Sequence, residues 1–381
     1  MERGGTKMRY PVSEPGIRLG RIRAGMEKAG LDVMVVYSPQ WKVEYIHYTA
    51  NFRVLGKDAA MVLPLDGEPV LYLSQPWDAS RAAAESWVKD IVINPVDMMR
   101  TVGEDAAKFG KNIGLAGLEH MSSVQYGQFM SKLTGMNVSN QVKLLDKCAL
   151  TKTQWELEII RKCARLADEG YKALINTMRV GMYEYEAVAE IEYAMRLGGA
   201  DDDFQMIGMG VNLPSMNIAA EKRLKMGDLV EAEITPMIGS ITYATQLCKT
   251  VKMGPATDLE KEKFGILVEA LEYALSKMKA GIRASEVCLW QNEIIGGAGY
   301  EEYCHPPHMR SRGHNFGLGA IDLNADNDML LEPGMVMVVH PNQIIPECGY
   351  LVLGETVVVN ETGIERLSNI PSKLFEVLPR V

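Results

Sequence analysis

The sequence predicts an α+β protein in which a smaller α/β domain, residues 1–150, precedes a larger domain, residues 151–381. Three observations carry this prediction. The first 150 residues alternate strand-like runs with short helical stretches, the texture changes near residue 150 to a long amphipathic helix, and beyond it helices and antiparallel strands gather in separate runs.

In the first domain "DVMVVYS", "AAMVLPL", "EPVLYLS" and "NIGLAGL" read as strands, and "RLGRIRAGMEKAG" and "SRAAAESWVKD" as helices. Across the junction, "TKTQWELEIIRKCARLADEGYKALINTM" places Trp155, Ile159, Ile160, Cys163 and Leu166 at helical spacing, with Thr151 or Thr153 as the cap. A helix around "EYEAVAEIEYAMRLGGA" follows, then the strand-rich "DLVEAEITPMIGSITYATQLCKTVKMG". The amphipathic helix "LEKEKFGILVEALEYALSKMKAG" separates these strands from "GMVMVVHPNQIIP" and the closing "YLVLGETVVVNETGIERLS". No internal repeat or low-complexity segment is present, and the 24 methionines fall mostly at core spacings.

Composition narrows the function. With 47% hydrophobic residues the chain can bury sizeable cores, and no apolar run approaches the ~20 residues needed to cross a bilayer. The opening "MERGGTKMRYPVSEPG" has no apolar signal-peptide core, so a cytoplasmic protein is expected. Cys148, Cys163, Cys248, Cys288, Cys304 and Cys348 are scattered without a C-x-x-C pair, which argues against a disulfide framework or a zinc knuckle. A net charge of −9 disfavours a nucleic-acid surface and leaves a small molecule as the expected partner.

Side chains with acid–base or metal-binding ability recur at strand ends in the second half. They are Glu231 and Glu233, His314 in "SRGHNFGLG", His340 at the end of "MVMVVHP", and Glu355 inside "VLGETVVV". A carboxylate within an apolar, β-branched strand is costly to bury alone, so Glu355 calls for a metal, a histidine or an arginine beside it. Gly313 and Gly317 let the backbone pass close to a ligand around His314. Glu231 and Glu233 share one face of a strand, because side chains alternate with period two. Arg310 and Arg312 could clamp a substrate carboxylate, although surface arginines are the commoner case. Tyr243, Tyr350, His305 and His308 are further pocket candidates.

These segments together resemble the "pita-bread" family of methionine aminopeptidase, aminopeptidase P, prolidase and creatinase. "GDLVEAEI" resembles the strand ending in a metal-binding Asp, "TYATQLCKT" the strand with the second Asp, and "RGHNFG" the Gly-His-Gly-Ile-Gly segment. "LEPGMVMVVHP" and "LGETVVV" resemble the two glutamate-bearing strands that close the fold, and "MIGMGVN" a glycine-asparagine turn. The resemblance implies a pita-bread catalytic domain behind a creatinase-type N-terminal domain, and a homodimer.

Carried over by position, the peptidase metal set Asp, Asp, His, Glu, Glu becomes Glu233, Gln246, His314, His340 and Glu355. The resemblance favours Glu233 over Glu231. Gln246 is neutral where the family bridges two metals, and His340 stands where a glutamate is a ligand, which argues against a dinuclear site. Met216 and Ile321 fall where relatives carry histidines, so creatine is not expected as substrate. Two arrangements follow from the resemblance: a mononuclear His314, His340 and Glu355 site, or a metal-free site in which His314 and His340 move protons, Glu233 and Glu355 orient them or hold a cationic substrate nitrogen, and Gln246, Arg310 and Arg312 bind substrate. The expectation is therefore no cofactor, or at most one divalent metal ion. The expected activity is hydrolysis of an amide or amidine-like C–N bond in a small non-peptide molecule, with ectoine hydrolase as a parallel. The alternatives are a mononuclear Xaa-Pro dipeptidase or lyase, and a non-catalytic binding module.

Overall fold

The computed structural model describes residues 9–378, so residues 1–8, on which the signal-peptide expectation partly rests, lie outside it. Two compact units make up the described chain: residues 9–150 with Gly317–Gly319, and Thr151–Phe316 with residues 320–378.

The first unit contains strands Val33–Pro39 (β1), Asp58–Pro64 (β2), Val70–Leu73 (β3), Asp90–Ile93 (β4), Asn112–Ala116 (β5) and Asn137–Asn140 (β6), in the sheet order β4-β3-β2-β1-β5-β6. β1 pairs antiparallel with β2 and parallel with β5. Both faces of β1 are covered. Val33, Val35 and Tyr37 pack on Met99, Val102 and Phe129, from helices Met98–Ala106 and Ser123–Met130. Met34 and Val36 pack on Ile22, Met26 and Ile46, from helices Glu14–Lys28 and Glu44–Ala50. A central strand buried on both sides reads as an unbroken apolar run. β4 and β6 lie at the edges, are four residues long and are only half-buried, so they leave little hydrophobic signal.

In the second unit, helix Gln154–Thr177 starts at Thr153. Its hydroxyl accepts from the Glu156 amide at 3.2 Å and its own amide donates to the Glu156 carboxylate at 2.9 Å, a reciprocal cap. Thr151 instead bridges to Met335. The remaining strands are Asp202–Gly210 (β7), Leu229–Met237 (β8), Leu247–Met253 (β9), Gly313–His314 (β10), Val336–Val339 (β11), Gln343–Ile345 (β12), Gly349–Leu351 (β13), Glu355–Val359 (β14), Ile364–Arg366 (β15) and Phe375–Val377 (β16). They form sheets β16-β9-β8-β7 and β10-β11-β14-β15, with β12 and β13 as a separate pair.

Alternation along β8 divides its duties. Val230, Ala232 and Ile234 join the core with Leu166, Tyr171 and Leu174 of the long helix. Glu231, Glu233 and Thr235 therefore face the other way, yet they are also buried, because that face meets the second sheet. The two sheets join where Cys248 and Gly354 exchange backbone hydrogen bonds, each 3.0 Å. Beside them the Gln246 amide donates to Thr356 Oγ1 at 2.8 Å, and that hydroxyl donates to the Gln246 carbonyl at 3.1 Å. Among the described residues no helix is long and apolar enough to cross a membrane.

Candidate active site

Around the seam between β9 and β14, four of the expected residues form two pairs. Gln246 Nε2 donates to Glu233 Oε2 at 3.3 Å, and Asn342 Nδ2 donates to Glu233 Oε1 at 2.9 Å. Across the seam the His314 and His340 rings meet at 5.3 Å between centroids, inclined at 62°. Strand register explains the histidine pair. His314 faces Val338 in the antiparallel β10–β11 ladder, so His340, two residues on, projects from the same face.

Glu355 is elsewhere. It faces Val339 in the β11–β14 ladder, and Val339 and His340 point to opposite sides of one strand. The carboxylate meets Arg366 through a bidentate ion pair, one arm at 3.1 Å, and Arg366 continues to Glu272 at 2.8 Å. Glu355 thus has the partner its burial calls for, but that partner is an arginine on the far face. The mononuclear site of His314, His340 and Glu355 is corrected on this ground. The position opposite His340 is Gly354, which has no side chain to offer. A Cβ there would fall 2.5 Å from His340 Cβ.

The two arginines also part from expectation. Arg312 is fully buried and donates to Asn292 Oδ1, the Asn342 carbonyl and Gln343 Oε1, each at 2.7 Å. It ties three segments together and keeps no free edge for a substrate carboxylate. Arg310 is 81% exposed and pairs with Asp322 at 3.2 Å. Among the remaining candidates, Tyr243 donates to Glu156 at 3.2 Å, and His305 pairs with Glu301 on an exposed loop. His308 packs near Tyr303. Tyr350 does lie at the site, where burial, followed by the Glu233 charge, pushes its phenol up.

Electrostatics assign protonation states. The His314 Nδ1 faces the Asn315 carbonyl at 3.1 Å. A carbonyl can only accept, so Nδ1 carries the proton and Nε2 is left as the acceptor. Burial lowers the His314 pKa. Burial, then the neighbouring His314, brings His340 down to about 3, and its Nδ1 has no partner among the described residues. Both imidazoles are therefore neutral at pH 7. Burial pushes Glu233 up against the opposing effect of hydrogen bonds from Asn342 and Cys248. It also pushes the Cys248 thiol well up, with the Glu233 charge adding to it, which leaves a protonated thiol and no nucleophile.

A stability effect follows. Between about pH 3 and pH 6.5 the unfolded chain protonates His340 while the folded chain does not, so stability falls as pH drops through this window. From pH 7 to pH 5 the His340 contribution to this loss is about 2 kcal/mol by linkage. Urea titrations should show that the loss shrinks by this amount in His340→Ala. An unchanged pH slope in the variant would refute the assignment.

The dinuclear metal of the pita-bread peptidases does not fit these residues. Gln246, to which the resemblance assigns the bridging position, offers an amide N–H directed at Glu233, Glu355 is turned away, and no group of three His, Cys, Asp or Glu suited to a metal occurs among the described residues. Sequence reading missed Asn342 and Gly354. Asn342 could have been found two residues beyond His340 in "VVHPNQ", whereas Gly354 becomes informative only through the ladder register.

The fold and site define a two-domain protein of the pita-bread hydrolase type. The chain belongs to metallopeptidase family M24, whose model matches residues 158–361, and the creatinase/prolidase N-terminal domain model matches residues 18–148. It is 25% identical over 365 residues to the Xaa-Pro dipeptidase of Pyrococcus furiosus, covering 94% of this chain and 99% of that protein. It is 24% identical over 400 residues to the creatinase of a Bacillus species, covering 97% and 95%. The structure of an Xaa-Pro dipeptidase from Bacillus anthracis superposes with a TM-score of 0.83 at 23% identity, covering 95% of this chain and 99% of that one.

Proposed function

We propose that the chain hydrolyses a carbon–nitrogen bond in a small molecule by proton transfer through His314 and His340, without a dinuclear metal. The observation that carries this reading is the neutral histidine pair, 5.3 Å between ring centroids, with Asn342, two residues beyond His340, bonded to the Glu233 that Gln246 also holds. Water attacks the carbonyl or amidine carbon and gives a proton to an imidazole, for which His314 Nε2 is the available acceptor. The C–N bond breaks, its electron pair stays on nitrogen, and the imidazolium returns the proton to that leaving nitrogen. Glu233, held by Gln246 and Asn342, faces the polar end of the substrate.

A second reading has its own support. Relatives spanning nearly the whole chain are named Xaa-Pro dipeptidase, so on the comparisons alone an Xaa-Pro dipeptide is the better-supported substrate. One experiment separates the two. Purified protein is assayed by mass spectrometry against Xaa-Pro dipeptides and against small amides, amidines and cyclic osmolytes, with EDTA and with added Mn²⁺. Turnover of a non-peptide substrate that survives EDTA is the expected result. Dipeptide cleavage that appears only with Mn²⁺ would replace it with the second reading. Elemental analysis after dialysis should find at most one equivalent of divalent metal per chain, and two equivalents would exclude the metal-free mechanism. Family resemblance also supports a homodimer, for which light scattering at micromolar concentration should give twice the chain mass of 42.2 kDa.

A further inference from the structure

A cleft lies beside the histidine pair, within the larger unit, and the chemistry above makes no use of it. It has about 220 Å³ of space free of protein atoms, its open mouth included, and its inner end takes one water-sized group. Ala244, Phe316 and Val338 give it apolar walls, and Lys152, Thr242 and Thr356 are the polar residues of its lining. Three relations tie it to the site. Phe316 packs edge-on against the His314 ring, 5.0 Å between centroids. Val338 is the ladder partner of His314, and Thr356 is the ladder partner of Val338 on its other side.

The polar residues differ in what they have left to offer. Thr356 is committed, since its hydroxyl accepts from the Gln246 amide and donates to the Gln246 carbonyl. Thr242 is buried, and its Oγ1 has no hydrogen-bond partner among the described residues. Its backbone is nonetheless fixed. The Thr242 amide donates to Ser240 Oγ at 3.4 Å, and the carbonyl of the next residue, Tyr243, accepts from the Cys163 thiol at 2.7 Å. A buried hydroxyl held without a partner is costly, and valine would fill the same volume without that cost. Lys152 is also buried, and its backbone amide is anchored on the Gly334 carbonyl at 2.9 Å. Lysine is rarely enclosed to this degree. A hydroxyl able to donate and an ammonium on one cleft select an anion, and the apolar walls favour an anion carried on carbon over a hydrated inorganic ion.

We propose that this cleft is a subsite for a carboxylate on a short aliphatic arm of the substrate, with the Thr242 hydroxyl donating to one oxygen and Lys152 meeting the charge. This deepens the hydrolase reading and rests on it for the word substrate. It also supplies what the two arginines do not, since Arg310 pairs with Asp322 at the surface and Arg312 is enclosed in its own network. The arm lies against Phe316 and Val338, so the rest of the molecule is brought beside His314.

Binding is read first, on the full chain, by calorimetry and thermal shift at matched ionic strength. Sodium propionate is compared with neutral propionamide and with sodium chloride. Wild type should bind propionate at concentrations where the other two have no effect. Thr242→Val, equal in shape, should weaken propionate binding at least ~10-fold, the scale of a lost hydrogen bond to a charged group, without lowering the melting temperature of the free protein. Lys152→Met, similar in length but without charge, should weaken it further. Ala244→Val leaves both polar groups in place and narrows the cleft, so it should weaken propionate binding as well. Equal response of wild type to propionate and propionamide, or undiminished propionate binding in both Thr242→Val and Lys152→Met, would overturn the proposal. So would a lowered melting temperature in Thr242→Val with propionate binding unchanged, which would make the hydroxyl structural. Turnover then separates the two readings. Thr242→Val should lower kcat/KM more for amides that carry a carboxylate arm than for neutral amides of the same length, and equal losses would remove the subsite from substrate selection. The expected binding pattern in a protein that hydrolyses none of the amides would count against the hydrolase reading alone.

Discussion

Replacing His314 or His340 with alanine is expected to lower turnover at least ~100-fold, the usual cost of losing a positioned acid–base group. The rings share one face of the β10–β11 ladder at 5.3 Å, and in the proposed mechanism a proton taken from water reaches the leaving nitrogen through this pair. The double variant should be hardly worse than either single one, because groups that act as a unit do not contribute additively. Stability at pH 7 should change little. Removing a pocket imidazole leaves no large apolar void, and His340 Nδ1 has no partner to lose among the described residues. Kinetics and denaturant titration on the three variants decide the matter. A large loss of stability, with activity falling only in proportion to folded protein, would return the pair to a structural role.

Arg312→Ala should show the reverse pattern and lose about 3–5 kcal/mol of stability, the range for removing one partner from a buried charged network. Asn292, Asn342 and Gln343 would each keep a buried acceptor without its donor. Activity should fall too, by displacement: the Arg312 carbonyl accepts from the His340 amide at 3.1 Å, and Arg312 lies two residues before His314. Arg310→Ala, two positions earlier, should stay within about 0.5 kcal/mol, since an exposed ion pair contributes little. Urea titration of both variants tests the contrast, and comparable losses would refute it.

These two arginines also show how far the sequence could be read. Both stand near His314 in a glycine-containing segment, and nothing local tells which one is enclosed. The difference comes from Asn292 on helix Ala284–Ile295 and from residues 342–343 after β11, all of them far along the chain or beyond a strand. Elements with a strong period were legible: the helix capped at Thr153 and the alternation of β8 both follow from local pattern. The facing of Glu355 was not. A shift of one residue moves a side chain to the opposite side of a sheet, and only the pairing of Val339 with Glu355 reveals that Gly354 holds the inward position. Glu231 was visible as a same-face neighbour of Glu233. Its lack of a hydrogen-bond partner depends on its cross-strand neighbour Thr250 being committed to Val352.

The closeness of Gly354 to His340 limits what this pair of strands can carry. A side chain at 354 would begin 2.5 Å from His340 Cβ and 2.6 Å from the Val339 carbonyl oxygen, a separation real atoms do not tolerate. From the present state, Gly354→Glu alone would wedge the strands apart before it could offer a ligand. Placing an inward carboxylate here thus requires the strands to separate first, and Gly354→Glu should lower stability in a urea titration without adding metal affinity. An inward side chain at 354 and the present spacing of the two strands therefore exclude one another.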